Sequence, residues 1–241
     1  MTEPATDWQT DEDLTYRVHD RGAFATVEVR LLAKQTIKAQ SDAMVTMAPT
    51  IDVEGKLEGG LLGGLGRMLS GESFFFQTLR ATRGAGDALL APAQPGDVLP
   101  IALDGRGSYI LQKDGFLAAS EGVELSTTAQ NLSRGLFSGE GFFVLRAGGR
   151  GMLFVESYGA IHPLTLAAGE EMIVDNGHLV AWPADMHYNL EKASAGWISS
   201  FTSGEGLVCR FRGPGTVYIQ TRNPAAFGAW LRPLLPSNRR G

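Results

Sequence analysis

The tripeptide Ser-Gly-Glu occurs three times along the chain, at Ser70-Gly71-Glu72, Ser138-Gly139-Glu140 and Ser203-Gly204-Glu205. An apolar run follows each one, at 74–76, 142–145 and 207–209. A Gly-x-Gly segment comes next every time, at Gly84–Gly86, Gly149–Gly151 and Gly213–Gly215, and a second short apolar run follows it. A motif set that recurs in order at similar spacing marks one supersecondary unit used several times. Short apolar runs flanking glycines read as strands, because glycine supplies the positive φ that tight turns need. Each pair of runs is therefore expected to form a β-hairpin.

The unit has a second half. Residues 100–120 align with 163–182, and a similar stretch lies at 27–47. Asp114-Gly115 and Asn176-Gly177 fall at the same place, with Ser41-Asp42 in the first copy. Such dipeptides favour hairpin turns, so Gly115 and Gly177 are expected at positive φ. The chain then reads as a half-unit at about 24–58, full units at about 70–130 and 138–195, and a half-unit at 203–221. The two half-units are complementary. Residues 203–221 are therefore expected to pack on 24–58 and close the ring, which would remove exposed sheet edges. One all-β domain over 16–236 follows, a pseudo-threefold barrel with short helical segments. A flexible acidic arm, 1–15, precedes it and a tail, 237–241, follows.

Two helical segments stand out. Leu61, Leu62, Leu65, Met68 and Leu69 give a one-sided helical pattern. That face fits either a plug over a barrel end or a contact with a subunit or a membrane surface. Near the end, Asn223 can cap a short helix that Pro224 opens and Pro233 stops. Its Phe227, Trp230 and Leu231 are expected to pack against the sheet.

Catalytic patterns are missing. There is no G-x-S-x-G and no H-E-x-x-H. The glycine-rich stretch at 55–72 lacks the lysine and hydroxyl of a phosphate loop. Cys209, the single cysteine, lies in an apolar run and reads as a buried small residue. Glu72, Glu140 and Glu205 recur symmetrically, whereas an acid–base pair needs carboxylates in different surroundings. They are expected to cap turns. His178, Asp185 and His187 are weak candidates for a metal, with spacing unlike that of metal-binding β-barrels. No enzyme activity, cofactor or metal is expected.

The net charge of −5 disfavours nucleic-acid binding through phosphate neutralisation. No stretch reaches the roughly 20 apolar residues of a membrane-spanning helix. The first residues show neither a secretory signal nor a mitochondrial presequence, so the cytoplasm is the expected location.

Together, GGLLGGLGRMLSGESFFFQTL, GLFSGEGFFVLRAGGRGMLFVESYGAI and VDNGHLVAW resemble one family over about residues 24–222. This is the altered-inheritance-of-mitochondria protein twenty-four family, whose members are mostly uncharacterised. The resemblance implies a fold like that of the tryptophan-RNA-binding attenuator, a pseudo-threefold double-stranded β-helix. It also implies self-association as a trimer or ring, and it supplies no catalytic residues. The expected function is a non-enzymatic, homo-oligomeric β scaffold or interaction module, open to peripheral membrane contact, with an unknown protein partner. A small-ligand- or metal-binding barrel and a nucleic-acid-binding protein are the alternatives.

Overall fold

The computed structural model describes residues 7–11, 13–57, 75–112, 114–130, 142–192 and 207–235. The described residues are mostly strand, and every strand pairing is antiparallel. Alternation builds the simplest strands: in β2 (Leu14–His19), Leu14, Tyr16 and Val18 face the core, and in β3 (Thr26–Leu31), Val27, Val29 and Leu31 do.

The first set of strands continues with β4 (Thr36–Gln40), β5 (Met44–Met47), β6 (Asp52–Leu57), β7 (Phe75–Arg80) and β8 (Gly86–Leu90). It makes two small sheets, β3-β8-β5 and β4-β7-β6. The second set is β9 (Val98–Asp104), β10 (Tyr109–Gln112), β11 (Phe116–Ser120), β12 (Val123–Gln130) and β13 (Phe142–Glu156). The long β13 serves both sheets. Its first half pairs with β10 and β12, its second half with β9 and β11. The third set is β14 (Ile161–Leu166), β15 (Glu171–Asp175), β16 (Leu179–Pro183), β17 (His187–Lys192), β18 (Leu207–Arg212) and β19 (Gly215–Gln220). Its sheets are β14-β19-β16 and β15-β18-β17. The same four pairings thus occur in all three sets. A register break also recurs in the third strand of each, at Val45, Leu117 and Val180.

This arrangement corrects the hairpin reading. Strands β7 and β8 do not pair with each other, nor do β18 and β19. The glycine-rich segment carries the chain from one sheet of its set to the other. Glycine is still required there: Gly84, Gly149, Gly151 and Gly215 have φ of 134°, 81°, 136° and 152°. The turns at Gly115 and Gly177 are corrected too, for neither glycine has positive φ. Residues Asn176–His178 form a 3₁₀ turn in which the Gly177 N–H donates to Asp175 Oδ1 at 2.9 Å. What glycine supplies at 177 is room, since a Cβ there would run into the Asn223 side chain.

Neighbouring sets are joined edge to edge. Strand β4 pairs with β11, and β10 pairs with β16. Among the described residues β15 does not pair with β5, and no sheet closes on itself. The expected docking of 203–221 on 24–58 is therefore corrected. Strands β18 and β19 complete the third set, and the first set is completed by β7 and β8 instead. The three sets span 26–90, 98–156 and 161–220, half a unit out of step with the sequence pattern, because one glycine-punctuated half looks much like the next. The acidic arm is also shorter than expected: β1 (Gln9–Asp11) pairs with β2, and Leu14 is fully buried. Trp8 sits under the guanidinium groups of Arg17 and Arg30, at 4.5 and 4.1 Å, which ties the start of the chain to the sheet.

Three apolar cores follow the three sets. Helix α1 (Pro224–Leu231) begins as expected, with Asn223 Oδ1 accepting from the Ala225 and Ala226 N–H groups at 2.9 and 3.2 Å. Its apolar stripe does not pack on the sheet. Phe227 and Trp230 stay 45% and 62% exposed and stack on each other, with Tyr158 beside Phe227. No described helix is long and apolar enough to cross a membrane.

Candidate functional site

Two features of the fold can do something beyond holding it together. The first is a pair of unjoined edges. At the two joined seams, the residue at the register break is driven into the core of the preceding set. Leu117 packs in the first core at 0% exposure and Val180 in the second at 1%. Their counterpart Val45 belongs to the unjoined β5 and is 53% exposed, with Met47 beside it at 37%. At the other end, the free edge strand β15 leaves Met172 37% exposed. A free edge also presents unpaired backbone groups to any strand that can reach it.

The second feature is a cavity of about 220 Å³ where the second and third sets meet. Glu156, the last residue of β13, lines it and is 6% exposed. Its backbone N–H donates to the Gly115 carbonyl at 3.0 Å, which turns the side chain inward. Glu156 Oε2 is buried without a hydrogen-bond partner, and so is Oε1 of Gln112 in the same wall. Burial, and then the negative charge of Asp114, push the Glu156 carboxyl up to about 8. The group is thus neutral at pH 7. The rim is held by Gln220, which accepts from the Tyr158 N–H at 2.8 Å and donates to the Gly177 carbonyl at 3.0 Å.

Sequence reasoning missed Glu156. Its counterparts at the ends of β8 and β19 are Ala91 and Gln220, so the repeat pattern does not point to it. The available signal was a lone carboxylate closing the apolar run Met152–Val155.

The residues singled out from the sequence fare differently. Ser70, Gly71, Glu72, Ser138, Gly139, Glu140, Ser203, Gly204 and Glu205 lie outside the described residues, as do Leu61, Leu62, Leu65, Met68 and Leu69. The strands that flank the three motifs do pair with each other, Leu57 with Phe75, Gln130 with Phe142 and Lys192 with Leu207. His178 is engaged through Nδ1 with the Gln220 carbonyl at 2.7 Å, while Asp185 and His187 face solvent. The three make no metal-ligand group among the described residues. Cys209 is fully buried, and burial pushes its thiol up to about 12.

A family model described as "Mitochondrial biogenesis AIM24" matches residues 16–222. The uncharacterised protein M6_Spy0233 of Streptococcus pyogenes serotype M6 is 33% identical over 236 residues, which covers 95% of this chain and 94% of that one. The crystal structure of protein SPYM3_0169 from Streptococcus pyogenes superposes with a TM-score of 0.76 at 32% identity, over 92% of this chain and 100% of that one.

Proposed function

We infer from the chain's place in the mitochondrial biogenesis AIM24 family, to which it belongs, that it works as a non-enzymatic β scaffold whose copies join end to end. The carrying observation is the mismatch at Val45. Two seams inside the chain bury the residue at this position, and the same residue of the first set is left in solvent. A second copy supplies what is missing: its β15 edge pairs with β5, and Val45 enters the core of its third set. Such contacts are head-to-tail, so the assembly is a ring if the rotation closes and a filament if it does not.

Recurrent pairings and register breaks support three diverged copies of one unit, arranged with pseudo-threefold symmetry. Size-exclusion chromatography with light scattering tests the proposal. The expected mass exceeds the 25.8 kDa of one chain and rises with loading. A constant single-chain mass at the highest soluble concentration would refute it.

A further inference from the structure

We propose that the cavity between the second and third strand sets binds a small organic molecule through a primary ammonium group. Two residues of its wall carry an orphan atom, Oε2 of Glu156 and Oε1 of Gln112, and both atoms are acceptors when Glu156 is ionised. A buried acceptor without a partner is costly, so Gln112 Oε1, and Glu156 Oε2 once it has lost its proton, are served by a donor from outside the chain. The donors at the start of helix α1 are already spent, because Asn223 Oδ1 takes the Ala225 and Ala226 N–H groups. The cavity therefore asks for hydrogens, and its two carboxyl side chains, Glu156 and Asp114, favour a cation that can take the place of the Glu156 proton.

The rest of the wall sets the class of cation. Leu179, Val180, Pro224 and Ala225 give an apolar side that a bare metal ion would not use. An alkyl stem lies against it while the ammonium reaches Glu156. The volume of about 220 Å³ is below the roughly 300–1,000 Å³ of drug-sized pockets, so the molecule is small.

Binding has a proton signature. The titratable groups facing Glu156 in this cavity are Asp114 and Tyr158. The carboxyl of the empty site holds its proton at pH 7, and an arriving ammonium displaces it. Uptake of the ligand therefore releases a proton near neutrality, and the release fades above the pKa of the empty site.

The test is isothermal titration with n-butylamine, in two buffers of different ionisation enthalpy. Butanol, butyrate and calcium chloride serve as comparison probes. The expected result is saturable binding of the amine with proton release. Glu156→Gln should weaken it by about tenfold or more, the loss of a charge-assisted hydrogen bond. Circular dichroism confirms that the variant is folded, and Asp114→Asn should weaken binding less. Binding of calcium instead of the amine, equal binding of butanol, or undiminished amine binding by folded Glu156→Gln would each overturn the proposal. So would the absence of amine binding in wild-type protein.

Discussion

Replacing Val45 by aspartate separates self-association from folding. The Val45 side chain is 53% exposed in the single chain, so about half of its burial is still to be gained. Full burial of a valine is worth about 1.5–3 kcal/mol, which leaves ~1 kcal/mol for a seam to collect. Val45→Ala should therefore weaken association by about fivefold. Aspartate does more, because it places an unpaired carboxylate where Leu117 and Val180 are fully buried. Desolvating such a charge costs about 3 kcal/mol or more, so association should fall by at least ~100-fold. The single chain should hardly notice, since exposed positions usually tolerate substitution within about 0.5 kcal/mol. Sedimentation velocity across a concentration series reads the first effect and urea unfolding of dilute protein reads the second. A Val45→Asp protein that still associates like wild type would refute the reasoning. So would one that loses several kcal/mol of stability when dilute, since that would place Val45 in a core already formed.

Glu156 makes folding stability pH-dependent in a definite direction. Its folded pKa of about 8 lies above the ordinary 4.5, so the folded state binds the extra proton. Stability should fall by up to about 1.4 kcal/mol per pH unit as pH rises between those values, then level off. Urea titrations at pH 5 and pH 8 should show the loss, and Glu156→Gln should flatten it. Gly177→Ala should be destabilising by about 1–3 kcal/mol through collision with Asn223. Because φ at Gly177 is not positive, adding Asn223→Ala should recover part of that loss, as thermal melts of the single and double variants would show. Gly96→Ala should cost about 3 kcal/mol or more, since its Cβ would meet the backbone carbonyl of Ser157, which cannot swing aside. Trp230→Ala on helix α1 should change the melting midpoint little, because the indole is 62% exposed.

The strand content and the glycine positions were readable from the chain because they are local properties. Alternation at Val27, Val29 and Leu31 and the bends at Gly149 and Gly215 need no knowledge of distant partners. Pairing is not local. The segment Phe142–Glu156 reads the same whether its glycines fold it back on itself or carry it onward, and the structure carries it onward between two sheets. The phase of the repeat has the same ambiguity: the motif pattern directs residues 203–221 to the first half-unit, whereas β18 and β19 pair with β14–β17. Helix α1 shows the converse: its cap at Asn223 is local and was readable, whereas the exposure of Trp230 depends on where the sheet ends. The Glu156 cavity was hidden because it joins residues from three separate corners of the fold.

Self-association joins the β5 edge of one copy to the β15 edge of the next. Amide hydrogen exchange of β5 and β15, followed by mass spectrometry over a range of protein concentrations, tests this most directly. Protection of residues 44–47 and 171–175 should rise together with concentration, while β11, already paired on both sides by β13 and β4, stays constant. Exchange at both edges that is the same at every concentration would contradict it.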